Sequence, residues 1–229
     1  MRKRKNRNLL IILGLIIGLV VAFLAYRTAF SPSAGGLKVD PSLVVSGEPD
    51  PTIGIPDAPI VIEEYSDFTC PHCAHFSLDV LPKLYRDYIK SGKVKFVFKP
   101  FLRTPQSMAP SLAALCVYEQ DPVKFWEYHE KLFEGFMKAG PPYYNKRNFI
   151  ALASQMGLDV EKFKQCYESQ KYKEDLLTLQ KEALERGVRA TPTLFIAGYP
   201  IEGAPPYEDL KNLIDKALEN MKNPQQQGQ

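Results

Sequence analysis

Only four cysteines occur in 229 residues, alongside three histidines and five methionines. Two of the four, Cys116 and Cys166, stand far apart with no Cys or His partner at short spacing, so the second half of a zinc site is missing. His72 and His75 are the only spare ligands near the other pair, and a metal carrier would gather more Met and His there. Covalent haem is excluded by Ala74, which occupies the place of the histidine that must follow Cys-x-x-Cys. No metal and no other cofactor is expected. Basic excess is also missing from most of the chain. The formal charge of +3 includes Arg2, Lys3, Arg4, Lys5, Arg7 and Arg27, and without these six the remainder carries −3. No basic face is left for a nucleic acid.

What is present is Cys70-Pro71-His72-Cys73, placed between a short apolar run, Ile60 to Ser66, and a segment with helical spacing. A turn from strand into helix puts Cys70 at a helix N-terminus, where unpaired backbone N–H groups and the positive end of the dipole favour a thiolate. Cys70 is the candidate nucleophile. Pro71 suits the first helical turn, His72 can bring a proton-dependent charge beside the sulfur, and Cys73, one turn on, can close a disulfide. So tight a loop at a helix start suits exchange better than stapling. Within the strand, Ile60, Ile62 and Glu64 share a face by the two-residue alternation, which puts an acid where a core residue is expected. Glu64 has two readings here, a buried acid or a half-exposed strand end.

Tyr65-Ser66-Asp67-Phe68-Thr69-Cys70-Pro71-His72-Cys73, together with Ala190-Thr191-Pro192-Thr193 far downstream, resembles the DsbA-like branch of the thioredoxin superfamily. The resemblance runs from about Ile55 to the last helix, and its one departure is Ala190, where relatives often carry Gly. It implies an α/β fold, a thioredoxin fold with an inserted helical domain, and a redox-cycling dithiol. It also implies a cis Pro192 beside Cys70, a Thr191 backbone that pairs with an extended substrate, and Glu64 as a buried proton relay to Cys73. Relatives sometimes bridge positions like Cys116 and Cys166. Two buried free thiols are the alternative, and an oxidising compartment favours the bridge. The Pro-His dipeptide is that of oxidising relatives, so the resemblance implies an oxidase acting on reduced secreted or envelope proteins, re-oxidised by a membrane quinone-linked partner. The competitors are a membrane-tethered reductase or isomerase, for example in cytochrome maturation, and a metal-binding or chaperone module on the same fold. No second domain of the kind that related isomerases carry is visible.

Along the chain, residues 1–8 form a basic cytoplasmic segment. Leu9 to Tyr26 is an uncharged run of 18 residues, which at ~1.5 Å per helical residue nearly spans a ~30 Å hydrocarbon layer. The basic flank before it reads as one N-terminal transmembrane helix, a signal anchor that leaves the rest extracytoplasmic, on the periplasmic or outer-surface side of the cell membrane. A cleaved signal peptide is the alternative, with Ala22 to Ala25 a weak cleavage site. Residues 27–54 read as a linker and 55–223 as the DsbA-like domain, with a helical insertion at about 105–186. Within it, helices are predicted at Met108 to Gln120, Val123 to Met137, Arg147 to Met156, Val160 to Ser169 and Tyr172 to Arg186. Pro82 predicts a kink in the helix after the motif, Lys93 to Phe98, Thr193 to Ala197 and Tyr199 to Glu202 predict strands, and Tyr207 to Met221 a final helix. Residues 224–229 form a polar, disordered tail.

Overall fold

The computed structural model describes residues 36–222. The basic segment 1–8, the apolar segment 9–26 and the tail 224–229 lie outside the described residues. Among the described residues no helix is long and apolar enough to cross a membrane.

Strand β3 (Ile60–Ser66) is the centre of the molecule, because both faces of its inner half are covered. Ile60, Ile62, Glu64 and Ser66 are buried on one face, as the alternation predicts, and Tyr65 is buried on the other. Beside it β4 (Val94–Pro100) runs parallel, with Val94, Phe96, Phe98 and Pro100 all buried on one face. A parallel neighbour needs a crossover, and helix α1 (71–89) supplies it. On the other side β5 (Thr193–Ile196) pairs antiparallel with β3, and β6 (Tyr199–Glu202) pairs antiparallel with β5. The two-residue turn between them, Ala197 and Gly198, has φ of 49° and 88°, the left-handed pair that matches strand twist in a hairpin.

Two further strands correct the reading of 27–54 as a linker. β1 (Val44–Val45) pairs with β2 (Thr52–Ile53), and β2 pairs antiparallel with β4, giving the order β1-β2-β4-β3-β5-β6. Two-residue strands show no period, so nothing in the sequence marks them. They are nonetheless well seated: Ile53 is wholly buried, and a Cβ on Gly54 would lie 2.7 Å from the Val94 carbonyl oxygen. Further back, the Leu37 N–H donates to the buried Glu130 carboxylate at 3.0 Å.

α1 continues through Pro82, with π turns at Phe76–Val80 and Tyr85–Ile89 alternating with α turns at Pro71–His75 and Leu81–Leu84. The missing Pro82 N–H leaves a carbonyl without its usual donor, and the Leu81 N–H bonds five residues back to Phe76. Between β4 and β5 lie α2 (Met108–Gln120), α3 (Pro122–Ala139), α4 (Lys146–Gln155), α5 (Val160–Glu168) and α6 (Lys173–Glu185). Their starts are legible chemically. Asp121 accepts from Val123 and Lys124 ahead of α3, Asn145 from Asn148 ahead of α4, and Asp159 from Glu161 and Lys162 ahead of α5. Phe125, Trp126, Tyr128, Leu132 and Phe133 of α3 are fully buried. They pack on the sheet, with Phe98 5.7 Å from Phe125 and Phe96 6.0 Å from Trp126 between ring centroids, so sheet and insertion share one core. The last helix, α7 (Tyr207–Lys222), buries Leu210 and Ile214 and receives a 2.7 Å bond from Tyr88 to Asp215.

Candidate active site

Cys70 caps α1 with extended backbone (φ −101°, ψ 120°), and Pro71 occupies the first helical position. Its thiol is held well below the ordinary range, at about 5. The largest cause is the Cys73 thiol, which donates to the Cys70 sulfur; burial opposes it, and the Thr191 side chain and the backbone N–H groups of Cys73 and His72 reinforce it. Two contacts with Thr191 pull in opposite directions. As a thiol, Cys70 donates to the Thr191 carbonyl at 3.3 Å, which keeps the proton on. The Thr191 hydroxyl, buried and itself without a hydrogen-bond partner, is the group that favours the thiolate. The donors outweigh burial because charged hydrogen bonds are about twice as strong as neutral ones. His72 contributes through its main chain, and its ring lies exposed.

Cys73 is the opposite case. It is fully buried, and burial first, then its bond to Cys70 and the nearby Glu64, push its thiol well above the usual value. Glu64 itself is wholly buried, and neither carboxyl oxygen has a hydrogen-bond partner. That decides between the two readings of Glu64. Burial raises its pKa to about 8, and the adjacent Ser66 hydroxyl, likewise unpartnered, offsets little of the rise. At neutral pH Glu64 carries its proton. Thr191-Pro192 is cis and buried, and the Gly203 N–H ties the Pro192 carbonyl at 2.7 Å. The dithiol, the buried acid and the cis proline, 121 residues apart along the chain at their Cys70–Thr191 contact, meet in one place.

Cys116 and Cys166 are joined by a disulfide that links α2 to α5. A cleft of about 690 Å³ is lined by this bridge with Lys162 and Lys171, and lies away from the dithiol. Neither Cys70, 3% exposed, nor the wholly buried Cys73 lines this cleft, so it takes no part in the thiol chemistry of the candidate site. Among the described residues no group of His, Cys, Asp and Glu is arranged to hold a metal.

Several residues of the site escape sequence reasoning. Asp67, fully buried, stands just before the motif and bonds through side chain and main chain to Thr69, Cys73, Arg103 and Ser107. Tyr144 reaches from the insertion to donate to the Phe68 carbonyl at 2.7 Å. Arg186, at the end of α6, forks onto Glu63 at 2.8 and 3.1 Å, bonds Tyr65 at 2.6 Å and lies 4.1 Å from the Phe195 ring centroid. His129 is sealed among Phe68, Phe98, Trp126 and Phe133, and burial lowers its pKa to about 3. Only the Asp67-to-Thr69 spacing carries a local signal, that of an Asx turn.

The family model described as Thioredoxin matches residues 46–216. The chain is 30% identical over 180 residues to disulfide bond formation protein D of Bacillus subtilis, covering 76% of this chain and 81% of that one. It is 26% identical over 218 residues to the probable disulfide bond formation protein D of Bacillus anthracis, covering 93% and 99%. Among solved structures, oxidised BdbD from Bacillus subtilis is similar with a TM-score of 0.66 at 29% identity, over 77% of this chain and 98% of that one. DsbA of Chlamydia trachomatis is similar with a TM-score of 0.69 at 25% identity, over 80% and 96%.

Proposed function

This chain belongs to the thioredoxin family as a DsbA-like protein thiol-disulfide oxidoreductase, and from that premise we propose that it is an extracytoplasmic oxidase donating the Cys70–Cys73 disulfide to reduced secreted or envelope proteins. One observation carries the direction. Cys70 in the reduced protein is a stabilised thiolate, and whatever stabilises the thiolate stabilises the reduced form, which makes the disulfide a stronger oxidant.

The geometry at Cys70 supports the following exchange. A client thiolate attacks the Cys70 sulfur; a client–Cys70 bond forms as the Cys70–Cys73 bond breaks, and the electron pair leaves on Cys73. Glu64, protonated at neutral pH, supplies a proton to that buried sulfur. A second client thiolate then attacks the client sulfur of the mixed disulfide, and Cys70 departs as a thiolate. The client loses two electrons and the enzyme gains them. The Thr191 backbone pairs with the client as an added strand, and Pro192 keeps a further N–H away from the sulfur. A membrane quinone-linked partner restores the disulfide. Residues 9–26 act as an uncleaved signal anchor that holds the catalytic domain outside the cytoplasm. Recovery of a soluble mature chain beginning near Tyr26 would remove that last element.

The deciding measurement is the redox equilibrium of the Cys70–Cys73 pair against glutathione. An oxidase is reduced readily by glutathione and has a Cys70 that titrates far below ~8.5, the ordinary thiol value. A pair that glutathione cannot reduce, with an ordinary Cys70, would establish the reductase reading.

A further inference from the structure

The donors at the start of α1 serve Cys70 and leave Cys73 with little. The backbone N–H groups of His72 and Cys73 favour the Cys70 thiolate, while the groups facing Cys73 are Glu64, Cys70 and the Tyr144 phenol, each of which opposes negative charge there when ionised. Yet the exchange proposed above requires Cys73 to leave as an anion in a buried position. One donor does point at it: the Asp67 N–H lies 3.4 Å from the Cys73 sulfur.

That N–H is held from several directions. The Asp67 carbonyl accepts from the Cys70 N–H at 3.0 Å. One carboxylate oxygen accepts from the Thr69 N–H at 2.7 Å and the Thr69 hydroxyl at 2.8 Å. The other accepts from the Arg103 N–H at 3.1 Å and the Ser107 hydroxyl at 2.7 Å. Four donors satisfy a carboxylate that is 0% exposed, so it is an orienting fixture rather than a general base. With side chain and carbonyl both tied, the N–H has one direction left.

We propose that the Asp67 main-chain N–H stabilises Cys73 as the leaving thiolate, and that the Asp67 carboxylate is the positioning group that aims it. The arrangement is the sulfur counterpart of a preorganised donor aimed at developing charge. It rests on the exchange reading given above. When the client–Cys70 bond forms and the Cys70–Cys73 bond breaks, the electron pair arrives on Cys73 under this donor before the Glu64 proton does. In the reverse step the same N–H favours the Cys73 thiolate that attacks Cys70 and expels the client.

The reverse step gives the test. A mixed disulfide is formed between Cys70 and glutathione, and its closure by Cys73 is followed against pH through glutathione release. In Asp67→Asn the amide turns an NH2 toward donors that need an acceptor. Closure at neutral pH is expected to slow about tenfold, the factor corresponding to about 1.4 kcal/mol, and its pH profile to move to higher pH. The Cys70 titration of the reduced protein is expected to move less. Ser107→Ala, which removes one of the four donors and keeps the charge, is expected to give a smaller shift of the same sign. Should Asp67→Asn fail to fold, the Ser107→Ala profile decides alone. Closure profiles that superimpose on the wild type overturn the proposal, as do Cys70 and Cys73 profiles that shift together with the melting temperature. A wild-type protein that donates no disulfide to a reduced peptide overturns the exchange reading itself, before any variant is made.

Discussion

Cys70 owes its low pKa to a neighbour that is itself reactive, and this separates two variants that look alike on paper. Removing the Cys73 thiol takes away the largest stabilising contact, whereas removing the His72 ring leaves its backbone N–H in place. Cys73→Ala is therefore expected to raise the Cys70 midpoint by more than His72→Ala does. A thiolate absorbance titration of the two variants checks this, and an equal or larger shift in His72→Ala would return the imidazole to the leading role. Cys70, Cys73 and Pro192 were legible because their chemistry is local to short motifs. Glu64 was half legible: alternation shows which face it shares, and only the packing of neighbouring elements shows that no partner reaches it. Asp67 was not legible as more than a turn residue, since two of its four donors, on Arg103 and Ser107, come from the segment between β4 and α2.

At the scale of elements, helices in the insertion could be bounded closely because cap residues and proline punctuate them, as at Asp121-Pro122. β1 and β2 could not, and neither could the π turns of α1 on either side of Pro82. The α2–α5 bridge closes a sequence separation of 50 residues, for which chain entropy gives about 4 kcal/mol. Cys116→Ala is expected to lower stability by up to that amount in denaturant unfolding while exchange at Cys70 continues at the wild-type rate. Loss of exchange in a folded Cys116→Ala protein would contradict this. Arg186 is the other inter-element tie, joining the end of α6 to β3 and β5. Its side chain and that of Glu63 are 38% and 23% exposed, so solvent screening limits the pair to about 1 kcal/mol. Arg186→Met is expected to cost about that much in denaturant unfolding, and a loss several times larger would mark the fork as a structural keystone.

Across the whole molecule, two buried groups bound the pH range of stability from opposite sides. His129 has a folded pKa depressed from its ordinary 6.5 to about 3, so its contribution is full above 6.5 and is lost as pH falls toward 3. Glu64 has a folded pKa raised from 4.5 to about 8, so its contribution is full below 4.5 and is lost as pH rises toward 8. Oxidised protein is expected to be most stable near pH 5–6, with His129→Phe flattening the acid limb and Glu64→Gln the alkaline one. In the reduced protein the depressed Cys70 adds stability as pH rises from about 5 to 9, against the trend of Glu64. Reduction should therefore flatten the alkaline limb, and unfolding free energies of both redox forms across this range check it. Parallel limbs in the two forms would show that the Cys70 thiolate adds no stability.

The long sequence separation inside the site has a consequence for synthesis. A chain emerges N-terminus first, so Cys70 and Cys73 appear before Thr191, which Cys70 contacts from 121 residues upstream. Until that segment arrives, the nucleophile has neither its carbonyl partner nor the proline beside it. A nascent chain halted between the two would display a reactive dithiol with no substrate strand to select its partner, able to capture whatever thiol or disulfide lies nearest.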